Sequence, residues 1–499
     1  MSDQLLIYLA LGVYLVAMIA IGYYGYRKTK GHEDDMLGGR SLPPFVAAMS
    51  AGVSDASGWL MMGLPGAIYA AGLVEGWIAV GLTIGSYLNW KLVAPRLRAY
   101  TEVAKNSITI PSFFENRLRD GSRLLRIASG IIILVFFTLY VSSGMVAGGV
   151  FFESSFDSDY LTGMLLIGGV TLLYTLFGGF LGASFTDVVQ GLMMFFALII
   201  VPVIAVVAVG GIGETTAIVE EVGPTHLSVV GGAFTAATAV AIISGLSWGL
   251  GYFGQPHIIV RFMALRSARE AKSARRVAVS WTAISMGGAI IAGLAGLAYM
   301  TGHGIDLADP ETVMLVLSRT LLHPFVAGLI LASVLAAIMS TISSQLIVCS
   351  SALIEDLYKV VRRTPPPEKQ LVMLGRASVL VIGIIAMLLA ISPNGSILGL
   401  VSFAWAGFGA AFGPIILLSL FWRRLTRWGA LASMLVGTVA VFAWKPIDQA
   451  LGLGLYEMVP AVALSMLVAV VVSIATYRRD EEIEREFTET GSIVLVPRG

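Results

Sequence analysis

Residues 50–66 read SAGVSDASGWLMMGLPG, and this stretch decides the fold. It interrupts an apolar segment of membrane-spanning length with an aspartate, three serines, four glycines and a proline. A glycine costs about 1 kcal/mol in a helix interior and a proline about 3 kcal/mol. Backbone that is not helical is tolerated at membrane depth only where protein buries it or where it lines a watery cavity. The stretch therefore predicts a broken helix whose break serves a purpose.

The composition is that of an integral membrane protein. Of the 499 residues, 57% are hydrophobic and 13% are charged, whereas soluble domains carry about 25% charged residues. The net charge of +1 and the dispersed basic residues argue against nucleic acid as a partner. The single cysteine, Cys349, excludes an internal disulfide and a cysteine metal site. The five histidines show no zinc-protease spacing.

Thirteen apolar runs are long enough to cross a bilayer, which takes about 20 residues. They are continuous rather than alternating, which favours helices over barrel strands. The first run lacks a preceding basic region, so we expect it to be retained, and the terminal LVPRG resembles a tag-cleavage scar. The predicted spans are 4–26, 43–65, 67–93, 124–152, 160–181, 186–210, 231–256, 274–302, 324–354, 371–392, 397–422, 427–446 and 455–477.

The loop charges predict the orientation of these spans. If the N-terminus is outside, every lysine and arginine except Arg319 and Lys445 falls in a cytoplasmic segment. The outer loops carry acidic residues instead. This distribution follows the positive-inside rule, and it predicts an external N-terminus and a cytoplasmic C-terminus.

A second broken helix is predicted in span 7, where residues 247–257 read SWGLGYFGQPH. Spans 2 and 7 lie five apart, so they cross the membrane in opposite senses. Spans 2–6 (41–210) and 7–11 (231–422) then form two inverted repeats, an arrangement in which substrate and ions meet at the broken helices. The remaining parts are the first span and its loop (1–40), spans 12 and 13 (427–477) and a cytoplasmic tail (478–499).

Polar groups at mid-membrane depth mark the candidate site. Asp55 costs at least about 2.5 kcal/mol there unless it is paired, solvated or coordinating. Ser340 and Thr341 lie near the middle of span 9; such hydroxyls often bond only to their own helix, but with carbonyls freed by a break they also suit a hard cation such as sodium. Asp187, at the start of span 6, is also explained by the helix dipole.

Four segments resemble bacterial sodium/proline symporters of the sodium–solute symporter family, and the resemblance runs from about Leu5 to the end of span 13. The segments are GGRSLPPFVAAMSAGVSDASGWLMMGLPGAIY, GLSWGLGYFGQPHIIVRFMA, LAAIMSTISSQLIVCSSALIEDLY and GLVSFAWAGFGAAFGPIILLSLFW. The resemblance implies an all-α, LeuT-like 5+5 core with spans 1, 12 and 13 at its periphery. It also implies a protein of the bacterial inner membrane that couples sodium entry to L-proline uptake, with no enzymatic activity and no obligate protein partner.

The resemblance also implies site residues. The sodium ligands would be the carbonyls of Val53, Ala56 and Ala337 and the hydroxyls of Ser340 and Thr341. Asp55 would support the cation, and Arg40 and Asp187 would act in gating or ion release on the cytoplasmic side. The implied substrate residues are Ser57, Gly58, Trp59, Tyr140, Trp248 and Tyr252. Other proline transporters often have Ala and Met where this chain has Val53 and Ala56, a change that leaves carbonyl ligands in place.

The chemistry of proline agrees with these residues, because its ring can lie on aromatic faces and its ammonium group is attracted to them. Two alternatives remain at the level of sequence. One is the same kind of transporter with another small solute or with protons, since Asp55 could carry a proton. The other is an intramembrane hydrolase with a serine and a histidine, which His257 and His323, at opposite membrane faces, support poorly.

Overall fold

The computed structural model describes residues 2–28, 37–362, 367–392 and 395–495 of the chain. Within these ranges the protein is helical, and its one β-contact is an isolated bridge between Leu42 and Leu265. The all-α prediction is therefore confirmed. The helices of the first half are α1 Asp3–Lys28, α2 Pro44–Asp55, α3 Leu64–Ala71, α4 Gly76–Leu88, α5 Ala94–Val103, α6 Ile110–Arg117, α7 Leu124–Phe156, α8 Tyr160–Val209, α9 Ile212–Val222 and α10 Ala236–Gly251.

The second half continues the same architecture. Its helices are α11 Pro256–Met263, α12 Ala271–Gly302, α13 Val313–Leu321, α14 Pro324–Ser351, the single turn α15 Lys359–Val361, α16 Glu368–Ala390, α17 Ile397–Phe421, α18 Arg427–Leu451, α19 Met458–Thr476 and α20 Glu481–Leu495. Lys30, Arg363, Arg498 and most of the LVPRG end lie outside the described residues.

Ten helices within the described ranges are long and apolar enough to cross a membrane. Large apolar side chains on the outer helices face away from the protein, as at Val16, which is 68% exposed, and this is the surface that lipid would cover. Helix α14 lies at the centre and is buried along most of its length. Predicted spans 2, 3 and 5 are not among the ten; the apolar helices Trp59–Ala71 and Tyr160–Leu173 are too short to be counted.

Two span boundaries differ from the prediction. Pro65 was expected to end span 2, but it lies in the first turn of α3, which continues to Ala71. The chain then turns at Gly72, whose φ of 84° favours glycine, and α4 begins at Gly76 rather than near residue 67. Helix α3 continues directly from a π-helical turn over Trp59–Gly63, in which the N–H of Leu64 donates to the carbonyl of Trp59. The second half of the broken helix therefore begins at Trp59 and contains Pro65.

Helix α8 is a hairpin of two helical halves. A straight helix of its 50 residues would be about 75 Å long, more than twice the bilayer's hydrocarbon core. The helical path is interrupted at Gly179, with φ 57° and ψ −179°. The sequence predicted this loop a few residues later, between 181 and 186.

Contacts on either side of Gly179 show the reversal. Ahead of it, Ile167 packs against Gly148 of α7, and α7 ends where the ring of Phe156 stacks on Tyr8 near the start of α1. Beyond it, Gly182 lies against Gly22, and the amide of Gln190 donates to the hydroxyl of Tyr14 at 2.9 Å. Position along α1 decreases as position along α8 increases, so the second half runs antiparallel to α1.

Glycines bring α4 and α10 into backbone contact beside the second break. A Cβ on Gly249 would lie 2.2 Å from the carbonyl oxygen of Gly81, and one on Gly85 would lie 2.3 Å from that of Gly249. Small residues permit such close approach between membrane helices, where packing and hydrogen bonds drive association. The α4–α10 contact thus positions the broken helix.

We expect Gly249→Ala to lower the melting temperature of the detergent-purified protein, because the added methyl must separate α4 from α10. Overpacking of this kind costs about 1–3 kcal/mol. The measurement is thermal unfolding followed by fluorescence-detected size-exclusion chromatography. Gly287→Ala is the matched control, since a Cβ there meets nothing within 4 Å. Equal melting temperatures for the two variants would contradict the expectation.

Candidate functional site

The first break releases two backbone carbonyls. In a continuous helix the N–H of Ser57 would donate to the carbonyl of Val53. It donates instead to the backbone carbonyl of Asp55 at 2.8 Å. The N–H of Leu60 would likewise donate to the carbonyl of Ala56, but it donates to the backbone carbonyl of Ser57 at 3.1 Å. The carbonyls of Val53 and Ala56 are thereby freed from their helical partners.

Helix α14 supplies hydroxyls beside the freed carbonyl of Val53. The Ser340 hydroxyl lies 3.4 Å from the carbonyl oxygen of Val53 and 3.1 Å from that of Ala337. The Thr341 hydroxyl is buried and has no hydrogen-bond partner among the described residues. The structure thus brings together Val53, Ala337 and Ser340, with an unpartnered oxygen next along the helix. A cluster of hydroxyl and carbonyl oxygens is the donor set that a hard cation prefers.

Asp55 joins the two broken helices. Its Oδ2 accepts a hydrogen bond of 2.8 Å from the Tyr252 hydroxyl, while Oδ1 is buried and has no partner within the described part of the chain. Asp55 is only 2% exposed. A carboxylate in this position is costly unless a positive charge compensates it, so the unpartnered oxygen fits a transient role beside a cation.

The second break is positioned by α17. After α10 the chain makes a 3₁₀ turn over Tyr252–Gly254, becomes extended at Gln255 and restarts at Pro256. A Cβ on Gly254 would lie 2.2 Å from the carbonyl of Phe408 in α17, so only glycine permits this approach. The break therefore depends on contact with α17 as well as on its own glycine and proline residues.

Aromatic rings surround the breaks. Trp59 and Trp248 lie 6.2 Å apart between ring centroids, and Tyr252 meets Trp405 edge-on at 5.2 Å. The indole N–H of Trp405 donates to the carbonyl of Trp248 at 2.8 Å. Sequence reasoning missed Trp405, although it lies within one of the quoted α17 motifs. Its signal is the tryptophan in a small-residue run, AWAGFGAAFG.

The other predicted substrate residues lie around the first break. Tyr140 of α7 is buried, and its hydroxyl lies near Ser57, Trp59 and Asp55. A Cβ on Gly58 would lie 2.7 Å from that of Ala147, so α7 packs directly on the break. The Ser57 hydroxyl lies 3.4 Å from the backbone N–H of Trp59.

Arg40 organises the end of the molecule predicted to be cytoplasmic. Its guanidinium donates to the Asn106 side chain, the Thr101 hydroxyl and the carbonyls of Met263 and Ser107, at 2.8–3.1 Å. It thus ties the turn before α2 to α5, to the end of α11 and to the loop before α6. This geometry makes it a structural anchor at that end.

Asp187 is paired with Arg261, a residue that the sequence counted among the charges of a cytoplasmic segment and that the structure buries within a helix. Arg261 lies within α11, is 1% exposed, and its Nη2 is 3.7 Å from Asp187 Oδ2. Ser50 donates to the same oxygen at 2.6 Å, and Ser344 accepts from Arg261 at 2.8 Å. The positive-inside rule counts charges along the chain and carries no information on burial, so it could not show that Arg261 is buried.

A second buried cluster lies beside the first. Asp356 accepts from the Thr109 hydroxyl and from Arg126, both at 2.9 Å. Arg261, Ser344 and Asp356 line a shared cavity of about 30 Å³. Buried charged groups of both clusters therefore meet at this end of the molecule.

The opposite end is held by Glu311. Its carboxylate accepts from the backbone N–H groups of Ile397 and Leu398 at 2.8 and 3.0 Å, which caps α17. A Cβ on Gly66 would lie 2.7 Å from the Glu311 backbone. Burial raises the pKa of Glu311 above its ordinary value, and the two backbone bonds oppose that rise. The sequence placed Glu311 in an outer loop without assigning it a role.

These features define a class of protein. Two helices are broken within an apolar helical bundle, a buried oxygen cluster and aromatic rings lie at the breaks, and buried ion pairs lie at one end. Discontinuous helices whose freed ends bind ions and substrate are the hallmark of secondary membrane transporters.

Comparison with known proteins identifies the family within this class. The sequence profile of the sodium:solute symporter family matches residues 36–437. The chain belongs to this family, whose members are transporters and not enzymes.

Two curated relatives are similar over nearly their whole length. The high-affinity proline transporter PutP of Bacillus subtilis is 53% identical over 472 residues, covering 95% of this chain and 98% of that protein. The sodium/proline symporter of Staphylococcus aureus is 47% identical over 496 residues, covering 98% and 96%.

Solved structures show the same fold. A Na⁺-coupled sialic acid symporter in a substrate-bound outward-open state matches with a TM-score of 0.80 at 20% identity, covering 95% of this chain and 99% of the other. The transporter MhsT matches with a TM-score of 0.50 at 15% identity, covering 87% and 98%. The structural neighbours are transporters of the LeuT fold, as the sequence predicted.

We expect Thr341→Ala to weaken the stabilisation of the purified protein by sodium chloride relative to potassium chloride. A bound ion raises the free energy of unfolding by RT ln(1 + [L]/Kd), so a tenfold loss of affinity removes about 1.4 kcal/mol at saturation. Thr341→Ser should retain the effect because it keeps the oxygen. Ser333→Ala in the same helix is the control, since that hydroxyl bonds only to Ile330. The cluster is not a sodium site if all three variants respond to sodium as the wild type does.

Proposed function

We propose that this protein couples the inward movement of sodium to the uptake of L-proline by alternating access. One observation carries the proposal. The freed Val53 carbonyl lies beside the α14 hydroxyls, and the adjacent Asp55 bonds to Tyr252 of the second broken helix. Membership of the symporter family and near full-length similarity to proline transporters support the same coupled solute and ion.

The site residues receive distinct roles in this proposal. Sodium is held by the carbonyls of Val53, Ala56 and Ala337 and by the hydroxyls of Ser340 and Thr341, with Asp55 compensating its charge. The substrate site consists of Ser57, Gly58, Trp59, Tyr140, Trp248 and Tyr252. Trp405 orients Trp248 and Tyr252 through the contacts described above.

The proposed topology has thirteen spans in the bacterial inner membrane. Helices α2–α8 and α10–α17 contain the two inverted five-span repeats, and α1, α18 and α19 lie outside them. The distribution of basic residues supports an external N-terminus and a cytoplasmic C-terminus. Arg40, Asp187 and Asp356 then lie on the cytoplasmic side and Glu311 on the external side.

Sodium organises the proline site because it bridges the break after α2 to the centre of α14. Fixing the unwound segment favours proline binding, and by reciprocity proline favours sodium binding. Proline carries no net charge, so one sodium ion moves one charge inward, worth about 2.3 kcal/mol per 100 mV. That free energy supports an accumulation of proline of about 40-fold at this potential, before the sodium gradient is counted.

The direct test is uptake of radiolabelled L-proline into proteoliposomes. We expect an inward sodium gradient to drive accumulation that an equal potassium gradient does not. Equal uptake under both gradients would refute sodium coupling. An inward proton gradient without sodium tests the alternative that Asp55 carries a proton, and competition by unlabelled small solutes tests the choice of substrate.

The Arg261–Asp187 pair is proposed to hold the cytoplasmic end closed. Removing one partner leaves the other charged, buried and uncompensated, which costs about 3–5 kcal/mol in soluble proteins. Inward opening exposes these groups to water and relieves that cost. Loss of either charge should therefore shift the protein toward the inward-open state.

We expect Asp187→Asn and Arg261→Gln to increase labelling of a cysteine on the exit path several-fold. The reporter is Val348→Cys in a Cys349→Ser background. Val348 lines the cavity that Arg261 also lines, and Cys349 is the native cysteine. Labelling uses a membrane-impermeant maleimide on inside-out vesicles. Arg269→Gln, at an exposed position nearby, is the control. Unchanged labelling in both buried-pair variants, with normal elution profiles, would rule out a gating role.

A further inference from the structure

Tyr456 lies on the loop between α18 and α19, a part of the chain that the repeat pattern leaves at the periphery. Its ring nevertheless stacks on Trp248 in the core, with centroids 5.5 Å apart and planes 26° from parallel. The loop thus extends over the second broken helix. The repeat pattern offered no reason to expect a site residue from this loop.

Both the hydroxyl and the backbone N–H of Tyr456 form hydrogen bonds to neighbouring helices. Its hydroxyl donates to the carbonyl of Ser402 in α17 at 2.6 Å, and its backbone N–H donates to the Ser244 hydroxyl in α10 at 3.1 Å. The residue therefore bridges α10, which carries Trp248, and α17.

The rest of the loop is also braced. The N–H of Leu455 donates to Asp448 at 2.9 Å, and the indole N–H of Trp444 donates to the carbonyl of Leu455 at 2.7 Å. Gly452 and Gly454 supply the left-handed turns, with φ of 63° and 66°. These hydrogen bonds and turns fix the loop that carries Tyr456.

The Trp248–Tyr456 pair separates two environments. On one side an open cavity of about 360 Å³ is lined by both rings and by Glu75, Ser244 and Ser402, a size typical of small-molecule sites. On the other side lie the buried rings of Trp59 and Trp405. Trp248 therefore borders both the cavity and the rings at the breaks.

We propose that Tyr456 is a positioning residue of the substrate site, which holds the ring of Trp248 over the bound solute and closes the external side of the site. The inference rests on the proposed function, because it takes Trp248 as a substrate contact. Tyr456 acts through stacking, so an aromatic ring is required and the hydroxyl is secondary. Because Tyr456 bonds to both α10 and α17, separation of these helices at their external ends must break one of its bonds.

The test compares Tyr456→Ala and Tyr456→Phe in sodium-driven proline uptake. We expect Tyr456→Ala to raise KM for proline about three- to tenfold, the range of an aromatic pair, with kcat and the sodium concentration for half-maximal uptake nearly unchanged. Tyr456→Phe should restore KM to within about twofold of the wild type. Trp428→Ala, at an exposed aromatic of the same helix pair, is the control.

Three outcomes would overturn the inference: an unchanged KM in Tyr456→Ala, a Phe variant as impaired as the Ala variant, or a fall in kcat without a rise in KM. If the wild type takes up no proline, the proposed function fails instead. In that case hydrogen exchange of peptides covering residues 244–252 tests the positioning role directly. Faster exchange in Tyr456→Ala but not in Tyr456→Phe supports it, and equal exchange refutes it.

Discussion

The hydrogen bond between Asp55 and Tyr252 is the interaction on which the rest of the structure depends. Each residue ends a helix that stops inside the apolar bundle, and each break leaves polar groups that lipid cannot satisfy. The bond at 2.8 Å joins the two breaks and leaves the second Asp55 oxygen unpartnered. The freed carbonyls, the α14 hydroxyls and the aromatic rings are arranged around this pair, so the cost of two broken helices is offset in one place.

The two ends of the molecule are closed by different physical means. At the end predicted to be cytoplasmic, buried ion pairs of Asp187 with Arg261 and of Asp356 with Arg126 leave little free volume. At the other end, aromatic stacking and helix capping border an open cavity. In the proposed mechanism one end opens by hydrating both partners of each ion pair, because one partner left buried alone is costly. The proposed entry for solute lies at the other end, where stacked rings part at lower cost.

Much of the site could be predicted because its signals are local. Glycine, proline and aspartate in an apolar run indicate a broken helix wherever they occur, and hydroxyls at the middle of span 9 indicate polar function at that depth. Arg261 and Tyr456 could not be found in this way. Arg261 follows a broken helix and reads as the first charge of a loop, and Tyr456 belongs to a loop outside the repeats. Their roles arise from contacts with residues distant in the chain.

By itself the sequence determined that the protein is a helical membrane protein, that two of its helices are broken and where serine, threonine and aspartate interrupt the apolar spans. These properties follow from hydropathy and backbone preference, which act over a few helical turns. Only the tertiary structure decided that Asp55 meets Tyr252, that Ser340 faces Val53, that Arg261 is buried against Asp187 and that Tyr456 covers Trp248. Each of these pairs is more than 70 residues apart in the chain, so packing selects the partners and local sequence preference cannot.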